Sequence, residues 1–267
     1  MSHPGIENGP LSSQFAIQLP AIVNVVGAGG KTGLILALLE EYSPAIPVLY
    51  TTTTRIHPPP IRHGLAIIAC DSPLLLQHLI RRIGIMARVQ KGTFVVTRPE
   101  ISPGLLKGVD PGFGDIVERD SFPLVLNEAD GARSMSIKFP RPGEPVLMDN
   151  GDYLVPVLGI DCIGKPLGPE TLFRWELASQ RLGLRAGKEL TVQLAASLLL
   201  HPEGVCKDWR PGMRIVPYIN KVDSPGGDSL ALELAHALLQ DRNFHVERVV
   251  WGSVQNRRAR SVIACRQ

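Results

Sequence analysis

The run VVGAGGKTG, from Val25 to Gly33, places a lysine and a threonine directly after a cluster of glycines. Glycines at positions 27, 29 and 30 allow the backbone to bend so that several N–H groups point at one anion. A helix that starts there adds partial positive charge at its N-terminus. In such a loop the Lys31 ammonium contacts the β- and γ-phosphates, and the Thr32 hydroxyl holds Mg²⁺. The pattern predicts a nucleotide-binding loop made of Gly27, Ala28, Gly29, Gly30, Lys31, Thr32 and Gly33.

This loop departs from the usual phosphate-loop pattern at two positions. The form G-x-x-x-x-G-K-[ST] has a glycine where Val25 stands, and Gly33 occupies a position where Ser or Thr often touches the α-phosphate. The shorter spacing G-x-x-G-K-T resembles the ATP loop of the Mur ligases, which also lacks the distant first glycine. With Gly33, the α-phosphate contact falls to the backbone amide. The alternative interpretation is a tight strand-to-helix turn with a solvated lysine.

A second motif is NEADG, Asn127 to Gly131, which directly follows an apolar run of strand length. Glu128 and Asp130 are two residues apart, so both side chains point to one side of an extended chain. One carboxylate is expected to order Mg²⁺ through water while the other positions an attacking water. Gly131 is expected to offer its amide to the γ-phosphate. The alternative is a surface turn, because Asp-Gly is a common turn dipeptide.

A third motif is NKVD, Asn220 to Asp223, at the end of the predicted strand RIVPYI. In GTP-binding proteins the pattern N-K-x-D recognises guanine, whose N1–H and exocyclic amine donate to the aspartate. Asn220, Lys221 and Asp223 are therefore the candidate base-binding residues, and GTP is favoured over ATP. The alternative is a polar turn.

Apolar runs of strand length alternate with helical patterns along the chain, which predicts a mostly parallel sheet with helices on both faces. The predicted strands are Ala21–Val26, Val48–Thr54, Leu65–Ala69, Thr93–Thr97, Leu124–Leu126, Tyr153–Leu158, Arg214–Ile219 and Val246–Trp251; the clearest helix bounds are Glu170–Leu182 and Thr191–Leu200. All three motifs follow predicted strands, at the edge where open α/β sheets bind ligands. The prediction is a P-loop NTPase-like α/β domain over residues 19–267, with a loose tail over residues 1–18 and irregular loops from Arg98 and from Lys138.

The composition excludes several classes of protein. Hydrophobic residues make up 44% of the 267 residues and charged residues 20%, as in soluble globular proteins. A net charge of +3 and 5% aromatic residues argue against nucleic-acid binding, and the arginines at 257, 258 and 260 are predicted to be a solvated tail. No apolar run approaches the roughly 18 residues of a membrane helix. Four widely spaced cysteines and no signal-peptide pattern indicate the cytoplasm.

Six segments together resemble one family. They are GAGGKT, TTTT before a basic residue and prolines, VLNEADGAR, KFPRPGEPV, VLGIDCIGKPL and YINKVD. In this order they are similar to the selenium-dependent molybdenum-hydroxylase accessory proteins of the YqeC type, from about Val23 to Asp223. The resemblance implies a nucleotide-binding protein that acts in maturation of the molybdenum cofactor, with a molybdenum hydroxylase or a cofactor-maturation protein as partner. Carried over by position, the residues of this chain that match the family are Gly27 to Thr32, Glu128, Asp130, Gly131, Arg133 and Asn220 to Asp223.

Three functions remain open at this point. The first is a Mg²⁺-dependent accessory protein that hydrolyses GTP or ATP slowly, with Lys31, Glu128 and Asp130 as its catalytic residues and Thr32, Glu128 and Asp130 at the metal. The second is a ligase or kinase resembling the Mur enzymes, and the third is a non-hydrolysing nucleotide sensor. Turnover by the pure protein would separate the first from the third, and turnover that requires an added acceptor would favour the second.

Overall fold

A computed structural model describes residues 6–60, 65–89, 91–102 and 104–264. Thirteen strands of these residues form one sheet, in the order β1-β15-β14-β13-β10-β2-β8-β3-β6-β7-β4, with β12 beside β10 and β5 beside β6. The strands are β1 (Ile6–Gly9), β2 (Ala21–Gly27), β3 (Val48–Thr52), β4 (Arg55–Ile56), β5 (Leu65–Ala69), β6 (Thr93–Ser102), β7 (Leu105–Lys107), β8 (Leu124–Glu128), β9 (Ile137–Lys138), β10 (Tyr153–Gly159), β11 (Leu172–Phe173), β12 (Arg214–Ile215), β13 (Tyr218–Asn220), β14 (Arg248–Ser253) and β15 (Arg258–Ile263). The short strands β9 and β11 pair separately.

Helices cover both faces of this sheet. They are α1 (Leu11–Phe15), α2 (Lys31–Tyr42), α3 (Pro73–Ala87), α4 (Phe113–Ile116), α5 (Trp175–Leu182), α6 (Val192–Leu199) and α7 (Gly227–Leu239). Alternate residues of β2 show the two faces: Val23 and Val25 pack in the core beneath α1 and α2. Ile22 packs with α3, and Val26 packs with α6 and α7. The predicted α/β class, a mostly parallel sheet with helices on both faces, is confirmed.

The centre of the sheet brings the predicted motifs to one edge. Strand β2 lies between β8 and β10 and is parallel to both. Val25 of β2 is level with Glu128 of β8, and β13 runs parallel to β10 on the other side. The strand ends that precede the three motifs therefore meet at the carboxyl edge of the sheet.

Several predicted boundaries differ from the structure. The segment from Arg98 forms the end of β6, strand β7 and helix α4 rather than one irregular loop, with residue 103 outside the described residues. Pro217 divides the predicted strand 214–219 into β12 and β13, because a proline cannot donate to the ladder. The predicted helix from Glu170 begins only at Trp175, after strand β11.

The two chain ends are more ordered than the sequence predicted. Residues 1–5 lie outside the described residues, but β1 pairs with β15 and α1 buries Leu11 and Phe15, so residues 6–15 are not a loose tail. The prediction of a solvated basic tail is also wrong, because residues 258–263 form β15. In this strand the exposed Arg258 and Arg260 alternate with the buried Ala259 and Ser261. None of the helices in the described residues is long and apolar enough to cross a membrane.

Candidate functional site

The turn between β2 and α2 has a backbone that only glycine adopts comfortably. Gly27, Gly29 and Gly30 have φ values of 91°, 90° and 121°. A Cβ on Gly29 would lie 2.2 Å from the Gly159 nitrogen, and a Cβ on Gly27 would lie 2.5 Å from the Val157 carbonyl oxygen. The glycines therefore let the turn pack directly against the end of β10.

The amides of this turn divide into two groups. The N–H groups of Gly27, Ala28 and Gly29 donate within the protein, to Asp130 Oδ2 and to the carbonyls of Val157 and Met135, at 3.0, 2.9 and 2.8 Å. Helix α2 then begins at Lys31 after Gly30, with no side-chain cap on its first turn. The N–H groups at this helix end are the ones placed to receive an anion, and the first three glycine-loop amides instead shape the turn.

Lys31 lies inside the turn and is 4% exposed. Its ammonium donates to the Gly27 carbonyl at 2.7 Å and lies 3.1 Å from Asp130 Oδ1. Because Asp130 also accepts from the Gly27 amide, one carboxylate holds both the backbone and the lysine of the loop. This arrangement fixes a positive charge beside an uncapped helix end.

Glu128, the last residue of β8, lies next to Thr32 of the loop. The Thr32 hydroxyl donates to Glu128, with Oγ1 3.1 and 3.0 Å from the two carboxylate oxygens, and the Tyr50 hydroxyl donates to Oε2 at 3.1 Å. Burial raises the pKa of Glu128, although the Lys31 charge and these two hydroxyls act in the opposite direction. The structure thus brings together the threonine and the carboxylate that the sequence predicted as metal ligands.

These two residues fit Mg²⁺. The described residues contain no cluster of three or more His, Cys, Asp or Glu side chains that could hold a metal. Mg²⁺ does not require one, since it is usually held by one or two carboxylates, waters and the phosphates of its substrate. The Thr32 hydroxyl oxygen and a Glu128 carboxylate oxygen lie close enough to contact one cation together. For this the Thr32 hydroxyl would rotate, so that its proton points away from the cation.

Asp130 belongs to an ionic network that the sequence analysis missed. Lys138 Nζ lies 3.0 Å from Asp130 Oδ2 and 3.3 Å from a Glu144 oxygen, and it donates to the Gly131 carbonyl at 2.7 Å. Both terminal nitrogens of Arg174 donate to the Glu144 carboxylate, at 2.6 and 2.9 Å. Burial raises the pKa of Glu144, but Arg174 and Lys138 outweigh it and lower this pKa to about 2. The segment from Lys138, predicted as an irregular loop, thus supplies the counterions of the site.

The NKVD motif reaches the loop through its first residue. Asn220 Nδ2 donates to the Gly29 carbonyl at 2.7 Å, and Asn220 Oδ1 accepts from the Val254 amide at 3.3 Å. Lys221 adopts a φ of 65° and donates to Ser136 and Asp161, at 2.7 and 3.2 Å. Asp223 is exposed, and its Oδ1 accepts from Asn256 Nδ2 at 2.7 Å.

The turn after β14 is a further part of the site that the sequence analysis did not identify. The Ser253 hydroxyl accepts from the amides of Gln255 and Asn256, which fixes this turn beside Asp223. A Cβ on Gly33 would lie 3.2 Å from Val254 Cγ2. The absence of a side chain at position 33 therefore makes room for Val254, which accounts for the glycine where many such loops carry Ser or Thr.

The comparisons with known proteins show the family of the chain. A family model described as YqeC protein matches residues 23–176. The protein YqeC of Escherichia coli (strain K12) is 29% identical over 238 residues, which cover 88% of this chain and 88% of that protein. No solved structure matches the chain. Because the family model spans more than half of the residues, and its match contains the loop, Glu128 and the Lys138–Arg174 network, the protein belongs to the YqeC family.

Proposed function

We propose that this protein binds a nucleoside triphosphate at the carboxyl edge of its sheet, with the phosphates on the N-terminus of α2. The observation that carries the proposal is the uncapped start of α2 with Lys31 buried beside it and Glu128 and Thr32 in contact next to it. Unbonded helix N–H groups, a fixed ammonium and a metal-ligand pair are the three components that triphosphate binding requires.

Thr32 and Glu128 would hold Mg²⁺, which neutralises phosphate charge when it is bound. Lys31, the first residue of α2, would contact the terminal phosphates. Asp130 holds Lys31 and the Gly27 amide in place, so its contribution in this geometry is to position the loop. Slow hydrolysis is proposed as the activity, with Glu128 and Asp130 as the acidic groups nearest the phosphates.

GTP is proposed as the preferred nucleotide. The support is that Asn220 connects the NKVD motif to the loop, so Asp223 lies at the same edge of the sheet as the start of α2. Asn256 holds one oxygen of Asp223 and leaves the carboxylate exposed to solvent. The YqeC resemblance supports a setting in molybdenum-cofactor maturation for selenium-dependent hydroxylases, in the cytoplasm and with a protein of that process as partner.

Titration of the protein with GTP and Mg²⁺ tests the site directly. Lys31→Ala removes a charge-assisted contact that contributes about 1.5–3 kcal/mol, so GTP affinity is expected to fall about ten-fold or more. Lys188→Ala, at an exposed lysine, is the matched control and is expected to bind like the wild type. Equal affinity in all three proteins would show that the loop is only a turn.

The same preparation separates the open alternatives. If the pure protein releases phosphate from GTP, this result supports the hydrolase. Binding of GTP without turnover supports a sensor. Turnover that appears only with an added carboxylate acceptor would support the Mur-like ligase instead.

A further inference from the structure

Three cationic side chains surround the ring of Phe173, on the side of the site where Asp130 meets Lys138. The Arg133 and Arg174 guanidinium carbons lie 5.8 and 4.9 Å from the ring centroid, and Lys138 Nζ lies 5.9 Å from it. We call Arg133, Lys138, Arg174 and Phe173 the Phe173 cluster. Cations are attracted to the face of an aromatic ring, and the partly buried Phe173 ring thus lies between the buried ammonium of Lys138 and the exposed Arg133.

The charges of this cluster are not balanced. Lys138 and Arg174 pair with Asp130 and Glu144, but the same two carboxylates also serve Lys31 and Arg141. Arg133 is exposed, and its guanidinium has no carboxylate partner within the described residues. With Arg133 included, five cations stand against three carboxylates, Asp130, Glu144 and Glu128, the last of which interacts with Lys31. The surplus positive charge favours an anion of more than one charge at this surface.

The backbone around the ring is held in unusual conformations. Arg133, Ser134 and Arg174 have φ values of 44°, 62° and 66°, and they are half of the six non-glycine residues with positive φ in the described chain. Such conformations cost about 1 kcal/mol or more each and gather at ligand sites. They persist here because the turn is bonded to its surroundings: the Ala132 carbonyl accepts from Met135, and the Met135 carbonyl accepts from Gly29.

The cluster adjoins the proposed nucleotide phosphates. Lys31 and Lys138 lie at the two oxygens of the single carboxylate Asp130, at 3.1 and 3.0 Å. The turn that carries Arg133 is hydrogen-bonded to Gly29 of the glycine-rich loop. An anion at the cluster would therefore lie beside the end of the loop that holds Lys31.

We propose that the Phe173 cluster is a second anion site, which binds the phosphate group of a second, phosphate-bearing small molecule next to the nucleotide. The role of second substrate rests on the proposed nucleotide function, whereas phosphate binding by the cluster does not. A phosphate dianion matches the surplus charge better than a single carboxylate, and it offers three acceptor oxygens to the guanidinium groups. Arg133 is the residue free to make the first contact, since Arg174 and Lys138 already hold Glu144.

The test titrates phenyl phosphate and, separately, inorganic phosphate into the Lys31→Ala variant, in which the loop has lost its main phosphate contact. Adding Arg133→Gln is expected to weaken binding of these probes about ten-fold, because it removes the unpaired guanidinium without leaving a carboxylate alone. Arg242→Gln, at an exposed arginine near the opposite edge of the sheet, is the matched control and is expected to change nothing. Tighter binding of phenyl phosphate would assign the site to an ester, and equal binding would assign it to the free ion.

Equal probe affinity with and without Arg133→Gln would overturn the second anion site. In the wild-type background, Arg133→Gln is expected to leave the affinity for GTP unchanged, and a loss of GTP affinity as large as that of the probes would place Arg133 at the nucleotide instead. A wild-type protein that binds no nucleotide would end the proposed function, yet the probe titrations would still decide the cluster.

Discussion

The ends of β8 and β13 both carry an aspartate at the carboxyl edge of the sheet, but in opposite environments. Asp130, after β8, is 1% exposed and lies between two ammonium groups and a backbone amide. Asp223, after β13, is exposed and accepts from one neutral amide. The Asp130 side of the site is thus part of the core, whereas Asp223 lies at the surface, after the Asn220 that donates to the Gly29 carbonyl of the loop.

This difference separates what each region contributes. A buried charge is tolerated only with partners, so the ion pairs of Asp130 must form as the unliganded protein folds. A solvated carboxylate has little desolvation cost, so Asp223 can contact a ligand without contributing to the stability of the fold. Stability and function should therefore respond differently to the same substitution in the two regions.

The largest expected effect is that of Asp130→Asn on stability. The amide leaves the buried ammonium groups of Lys31 and Lys138 without their shared counterion, which should lower the free energy of unfolding by roughly 3–5 kcal/mol. Asp223→Asn, the same change at the exposed end, should alter it by no more than about 0.5 kcal/mol. Urea unfolding of both variants measures the contrast. Similar losses in the two proteins would contradict the division of the site into a core half and a surface half.

Glu144 should make the network sensitive to acid. Its pKa is about 2 in the folded protein against an ordinary value of 4.5 for a glutamate, so the unfolded chain binds the proton first. The stability that this carboxylate supplies is fully present above about pH 4.5 and is lost as the pH falls towards 2, a change of about 3 kcal/mol. In Glu144→Gln, which cannot titrate, the difference in stability from the wild type should shrink over this range. Thermal unfolding between pH 5 and 2.5 measures it, and a constant difference would contradict the assigned ion pairs.

How much of this site the sequence could predict depended on whether its residues are close in the chain. The loop and α2 are contiguous, and the apolar runs before Asn127 and Asn220 have the length and composition of buried strands, so their meeting at one edge followed from parallel-sheet geometry. Asp130, the pair Lys138 and Glu144, and Arg174 come from three separate segments, and nothing in the local pattern indicates that Lys138 is buried. Such a network forms only through tertiary packing.

The N-terminal segment was mispredicted for a related reason. Residues 6–9 have neither a long apolar run nor a regular alternation, and they form a strand because β15, more than 240 residues later, offers an edge to pair with. Leu11 and Phe15 are the residues that anchor this segment, and two apolar residues at this spacing are too few to predict a helix.

Glu128→Gln should separate activity from stability. Since burial raises the pKa of Glu128, its charge is costly in the unliganded protein, and an amide that still accepts from Thr32 and Tyr50 should be at least as stable. GTP hydrolysis should nevertheless slow by about a hundred-fold or more, because the amide neither binds Mg²⁺ well nor accepts a proton. Phosphate release and urea unfolding on the same preparation test both parts, with the exposed Glu189→Gln as control. Normal turnover would remove Glu128 from the reaction.

The smallest expected effect, on base selectivity, is confined to Asp223. Its carboxylate can accept from the N1–H and the exocyclic amine of guanine, and adenine presents no such pair of donors, so the wild type should bind GTP about ten-fold or more tighter than ATP. Asp223→Asn keeps the shape and the stability but turns one acceptor into a donor that faces the guanine amine. GTP binding should weaken, and xanthosine triphosphate, with a carbonyl at that position, should recover it. The exposed Asp208→Asn serves as the control, with the wild-type order of affinities. If the wild type binds ATP as tightly as GTP, the β13 end is only a polar turn that braces the loop through Asn220, and the phosphate half of the site stands alone.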